Sequence, residues 1–135
     1  MFNAREWVSL AKTAGMKYVV ITAKHHEGFS LFDTEYTDYD VMDATPFKRD
    51  IIKERADACH ELGLKFGVYY SHSKDWYHRG FDEKTVAPTN EYQGMVKGHL
   101  NELLTNYGDI SVLWFDMGDK FTEVNTEYGR IVKRL

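Results

Sequence analysis

Residues 22–34, TAKHHEGFSLFDT, set His25, His26 and Glu27 side by side directly after the apolar run KYVVI. A neutral imidazole can donate one hydrogen bond and accept another, so a histidine pair can grip a ligand rich in hydroxyl groups. Two more apolar runs end in polar groups, at Tyr69 to Ser71 in GVYYS and at Asp116 in LWFD. Residues at i and i+2 on a strand point the same way, so Trp114 shares a side with Asp116. By the same rule Tyr69 shares a side with Ser71, and Tyr70 points to the other. Gathered on one rim, these residues supply a carboxylate, two imidazoles, a phenol and an indole. That is a polar site with aromatic walls.

Each residue also has a plainer role open to it. Adjacent histidines can bond loop backbone, and Asp116 before MGD can be a turn residue or a helix cap. Trp114 and Tyr69 can be core. Tyr36 and Tyr39 can cover the mouth of the site, and Trp76 and His78 can sit on a solvated surface. Asp33, Asp38, Asp40 and Asp43 have no fixed ligand spacing and read as a solvated loop. The joint placement favours the functional reading, because three separate runs deliver unusual residues to the same end.

The elements that must position these groups follow from pattern. Asn3 and Glu6 form a capping-box signature, Trp7, Leu10, Ala11 and Ala14 follow at helical spacing, and Gly15 supplies the stop. KYVVITA is a β-branched apolar run of strand length, as expected of a strand buried on both faces in a parallel sheet. The cycle repeats. A helix from about Asp50 to Leu62 carries Ile52, Ala56 and Cys59 inward, Gly63 ends it, and LKFGVYYS makes the second strand. A third helix turns Tyr92, Val96, Leu100, Leu103 and Tyr107 to one face, Gly108 stops it, and ISVLWFD is the third strand. A last helix is expected from about Thr122, with Tyr128, Ile131 and Leu135 in register. The order is α-β-α-β-α-β-α. It implies an α/β fold with parallel strands joined by right-handed crossovers.

Helices reach the next strand through short glycine-containing turns, whereas the first two strands lead into loops of more than about fifteen residues, a length that is usually functional. In a (β/α)8 TIM barrel such loops lie at the C-terminal face, where active sites sit, and the full barrel needs about 250 residues. The chain has 135 residues. The reading is therefore a single partial catalytic (β/α) barrel domain over residues 1–135, lacking the remaining strands.

Composition excludes other classes. A net charge of −4 with no basic stripe argues against nucleic acid as the partner. No apolar run approaches the ~18 residues of a membrane span, and MFNAREW lacks the pattern of a signal peptide. The lone Cys59 cannot form an internal disulfide and reads as a small buried hydrophobe.

Four segments, AKHHEGFSLFDT, DATPFKRDIIKE, GLKFGVYYSHSKDW and LWFDMGD, resemble the catalytic barrel of α-L-fucosidases of glycoside hydrolase family 29, in order and spacing. The resemblance implies a retaining glycosidase that releases terminal L-fucose from glycoconjugates, with no cofactor and no metal. It makes Asp116 the catalytic nucleophile and His25, His26, Tyr69 and Trp114 the substrate-binding residues. Glu27 departs from the family, which commonly has Asp after the two histidines. The resemblance also implies that the general acid/base lies on a segment beyond this chain, so the chain alone is expected to turn over poorly. Asp119, Glu123 and Glu127 are the in-chain candidates for a second carboxylate, and each is disfavoured. Family members are commonly secreted, periplasmic or lysosomal.

Two rival readings remain open on the residues alone. One is a metal-dependent barrel hydrolase or isomerase using His25, His26, Glu27, His72 and Asp116, although adjacent ligands are geometrically awkward. The other is a non-catalytic sugar-binding fragment, whose open sheet edges would favour self-association.

Overall fold

The protein is described here by a computed structural model that covers residues 1–78, 88–116 and 128–130. Its elements run in the order α1 (Ala4–Thr13), β1 (Tyr18–Lys24), α2 (Ile51–Leu62), β2 (Lys65–Tyr70), α3 (Asn90–Asn106) and β3 (Ile110–Phe115). The three strands form one parallel sheet in the order β1-β2-β3. This is the α/β alternation expected, and sequential neighbours of this kind are what a sector of a (β/α) barrel requires. The expected last helix, with Ile131 and Leu135, lies mostly outside the described residues. Within it, Tyr128–Arg130 is helical and Tyr128 is buried.

Caps set the helix boundaries. The Asn3 side chain accepts from the Glu6 N–H, Asp50 accepts from the Lys53 N–H, and Thr89 accepts from the Tyr92 N–H. Each satisfies a backbone donor that the first turn leaves unpaired. Gly63 ends α2 in the left-handed region, at φ 72°, where a side chain would be strained.

The core lies between the sheet and the helices. Ile52, Ala56 and Cys59 of α2 are buried, as are Tyr92, Val96, Leu100 and Leu103 of α3, with Tyr107 at its C-cap. Phe66, Val68 and Tyr70 meet them from alternate positions of β2, each with no exposed surface. Burial of one such side chain is worth about 1.5–3 kcal/mol.

The first helix forms where expected but turns differently. Ala4 and Val8 are buried, while Trp7 is 53 % and Leu10 70 % exposed. The spacing of Trp7, Leu10 and Ala11 therefore marked a helix correctly without marking the face that packs on α2.

The opposite face of the sheet positions the site. Parallel register sets Thr22 beside Tyr69 and Tyr69 beside Trp114, with Val20, Gly67 and Val112 in the row below. Gly67 is required in that row: a Cβ there would lie 2.7 Å from the Val112 Cβ and 2.8 Å from its carbonyl oxygen. With no side chain at Gly67, β3 can approach β2 closely enough to bring Asp116 alongside Tyr69.

Candidate active site

The C-terminal ends of all three strands meet at one carboxylate. The Tyr69 hydroxyl donates to Asp116 Oδ2 at 2.6 Å, and His26 Nε2 lies 3.2 Å from the same oxygen. His25 packs on both neighbours, its ring centre 4.1 Å from His26 and 5.5 Å from Tyr69, where the rings are stacked. Trp114 stands edge-on to Tyr69 at 5.9 Å and is 59 % exposed. Asp116, His25, His26, Tyr69 and Trp114 are thus brought together on one rim, with Trp114 as an open aromatic wall. Glu27 reaches back to His25, with its Oε2 3.4 Å from Nδ1.

The electrostatics suit a carboxylate surrounded by donors. Burial, and then the bond to Asp116, push the Tyr69 phenol up, so it remains a hydrogen donor throughout the physiological range. Burial and the neighbouring His25 lower the basicity of His26, which outweighs the pull of Asp116 and favours the neutral ring.

The loop after β2 is fastened to the end of β1 by a network that the sequence reading missed. Lys24, the last residue of β1, forms an ion pair with Asp75 at 2.9 Å, and both side chains are fully buried. Lys24 Nζ also lies 3.3 Å from the Tyr92 hydroxyl and over the faces of Tyr70 and Tyr92. Asp75 accepts further bonds from the Tyr77 and His78 backbone N–H groups and pairs with His78 Nδ1 at 2.8 Å. Burial pushes the Asp75 carboxyl up, but its bonds to His78 and the Lys24 charge outweigh that and hold it at about 2. Next to it, the Trp76 N–H donates to the His26 carbonyl at 2.8 Å. Gly28, at φ 86°, leaves room for this cluster, since a Cβ there would collide with the Asp75 carboxylate. The available signal was Lys24 itself, a charge closing a β-branched apolar run. That run is not buried on both faces as expected, since Tyr18 and Thr22 are exposed and only Ala23 and Lys24 are fully covered.

Several loop residues differ from expectation. His78 is held by Asp75 and by Thr37 Oγ1 at 2.8 Å, so it is a structural link rather than solvated surface. Trp76 remains 71 % exposed, with its ring edge-on to His26 at 5.8 Å. Asp40 is fully buried and accepts from the Met42 and Asp43 N–H groups, so it folds a turn instead of belonging to a solvated acidic stretch. Tyr39 stacks on Tyr77 at 3.8 Å, and Tyr36 packs over Gly98 of α3. Asp119, Glu123 and Glu127 lie outside the described residues.

The metal-dependent arrangement is poorly matched. Among the described residues, His25, His26 and Asp116 bring ligand atoms within 4.8 Å of one another. His72, a member of that rival set, instead packs on Phe115 and Tyr128, with ring centres 4.8 and 5.8 Å away. Glu27 pairs with His25 and is not in the group.

The sequence and the fold both match known proteins. The family model described as α-L-fucosidase matches residues 1–133. The chain is 38 % identical over 129 residues to α-L-fucosidase 1 of Arabidopsis thaliana, covering 93 % of this chain and 24 % of the plant protein. It is 40 % identical over 119 residues to human plasma α-L-fucosidase, covering 85 % of this chain and 25 % of that one. Among solved structures, the α-L-fucosidase from Vibrio sp. strain EJY3 superposes with a TM-score of 0.88 at 36 % identity, over 98 % of this chain and 26 % of that one. The Lactobacillus casei α-L-fucosidase AlfC in complex with α-L-fucose product gives 0.84 at 36 % identity, over 98 % and 48 %. The chain spans about a quarter of the length of the curated relatives it matches.

Proposed function

Because this chain belongs to the α-L-fucosidase family, we propose that its site carries the nucleophilic half of a retaining hydrolysis of α-L-fucosides, with Asp116 as the attacking carboxylate. The observation that carries this reading is the convergence of Tyr69 and His26 on Asp116 Oδ2. Two groups fixed on one oxygen hold the carboxylate in a single orientation, which is what attack at an anomeric carbon needs.

In a retaining mechanism the carboxylate bonds to the anomeric carbon as the glycosidic bond breaks, and a second carboxyl group protonates the departing oxygen. Water then attacks the glycosyl-enzyme, and the second group removes its proton. His25 and His26 bind sugar hydroxyls, while Trp114 and the Tyr69 ring supply apolar faces for the ring and its methyl group. The acid/base is assigned to none of the described residues, and the chain is read as one sector of a larger catalytic barrel. The substrate class is a fucosylated oligosaccharide or glycoconjugate. This is supported by the AlfC D200A structure in complex with Fuca(1,6)GlcNAc.

The test is covalent trapping with a 2-deoxy-2-fluoro-fucosyl fluoride. Fluoride leaves without a proton, so the first step does not wait on the acid/base. The expected result is a mass adduct on the peptide containing Asp116, absent in Asp116→Ala. An adduct on another residue, or none on a folded chain that binds L-fucose, overturns the assignment.

A further inference from the structure

Ser71 lies two residues beyond Tyr69, past the end of β2, and is fully buried. Its Oγ is 2.7 Å from His26 Nδ1 and 3.1 Å from the Lys74 carbonyl oxygen. A serine hydroxyl has one hydrogen, so it can donate to only one of these acceptors at a time. The choice decides which nitrogen of a neutral His26 carries its proton.

If Ser71 donates to Lys74, its oxygen must accept from an Nδ1–H. His26 then turns the Nε2 lone pair toward Asp116 Oδ2, 3.2 Å away. Two acceptors facing each other at that distance repel, and the half-buried setting strengthens the repulsion. If Ser71 donates to Nδ1, the proton sits on Nε2 and a donor faces the carboxylate. That choice leaves Ser71 Oγ 3.1 Å from the neutral Lys74 carbonyl with no hydrogen between them, a weaker repulsion than that of a lone pair on a full carboxylate charge. The shorter of the two Ser71 contacts is also the one to His26.

We propose that Ser71 is a positioning residue that holds His26 as its Nε2–H tautomer, so that the imidazole presents a hydrogen-bond donor to Asp116 and to a ligand oxygen seated between them. Asp116 Oδ2 then faces two donors, the Tyr69 hydroxyl and the His26 ring. A sugar hydroxyl bound at His26 Nε2 must accept there and pass its own hydrogen elsewhere. This last consequence rests on the fucoside reading, whereas the tautomer does not. The lowered basicity of His26, caused first by burial and then by His25, is consistent with a ring that stays neutral.

The experiment is a long-range proton–nitrogen NMR correlation on the nitrogen-labelled 135-residue chain, without sugar, at a pH where histidines are neutral. The expected spectrum shows His26 Nε2 protonated and Nδ1 as a hydrogen-bonded, unprotonated nitrogen. In Ser71→Ala the Nδ1 signal moves to the position of an unbonded nitrogen, Ser71→Thr restores it, and L-fucose binds about tenfold more weakly, the loss of one hydrogen bond. A wild-type His26 protonated at Nδ1, or an Nδ1 signal unmoved in Ser71→Ala, overturns the proposal. The wild-type spectrum alone decides the matter if the alanine variant does not fold. Failure of L-fucose to shift the signals of His25, His26 and Tyr69 would instead sink the fucoside reading and leave the tautomer result standing.

Discussion

Tyr69 and Asp116, 47 residues apart in the chain, are joined by a 2.6 Å hydrogen bond across the end of the sheet. The bond follows from register: Tyr69 pairs with Trp114, and Asp116 is the next residue on that same side of the strand direction. The phenol stays protonated throughout the physiological range, so it keeps its hydrogen to donate to the carboxylate.

Tyr69→Phe removes that donor and keeps the ring that stacks on His25. A hydrogen bond to a charged group is worth about 1.5–3 kcal/mol, so the rate of covalent trapping at Asp116 should fall about 10–100-fold. The fold is expected to survive, because the lost hydroxyl is only half-buried. Trapping at an unchanged rate would show that the bond does not aim the Asp116 carboxylate.

The Lys24–Asp75 pair should behave as a buried clamp. Lys24→Met leaves a buried carboxylate without its cation, and Asp75→Leu leaves a buried ammonium without its anion. Each is expected to cost about 3–5 kcal/mol in urea unfolding. Lys24→Met/Asp75→Leu together should cost clearly less than the sum, since neither charge is then left alone. Additive losses would mean that the two side chains do not act on each other.

The parts of the fold that could be read from sequence are those set by periodicity. Tyr92, Val96, Leu100, Leu103 and Tyr107 recur on one helical face and are all buried, and the glycines at 63 and 108 stop the helices they follow. Trp7 and Leu10 also recur helically, yet they face outward, because periodicity gives a helix its shape but not its partner. The site was legible as a set of residue types at strand ends. Its fastening was not, since Lys24 and Asp75 are 51 residues apart and nothing local links a strand-end lysine to a loop aspartate. Asp40 misled for the opposite reason: an aspartate among other acids looks solvated until its backbone turn is seen.

Acid should weaken the protein in two stages. His99 is fully buried with Nδ1 2.8 Å from the Tyr70 hydroxyl, and burial, with Lys24 and His78 nearby, pushes its pKa down to about 3. A histidine held neutral in the fold takes up protons on unfolding, so its contribution is complete above pH 6.5 and is lost as pH falls toward 3. Asp75, held at about 2, contributes above its ordinary value of 3.8 and is lost as pH falls toward 2. The urea midpoint should therefore decline from about pH 6.5 and more steeply below about pH 4. His99→Gln should flatten the upper part of that decline and leave the lower part. An unaltered upper slope would assign it to another group.

Gly67→Ala should separate the site from the fold. The added Cβ meets the Val112 backbone oxygen at 2.8 Å as well as its Cβ at 2.7 Å, so β3 must move away from β2. Overpacking of this kind costs about 1–3 kcal/mol, which thermal unfolding would show. Because Val112 and Asp116 belong to the same strand segment, the shift should also lengthen the Tyr69–Asp116 bond and slow trapping at Asp116. Val112→Gly should restore only part of either loss, since the backbone oxygen remains in the way. Full recovery in that double variant would show that the side chain alone sets the strand spacing.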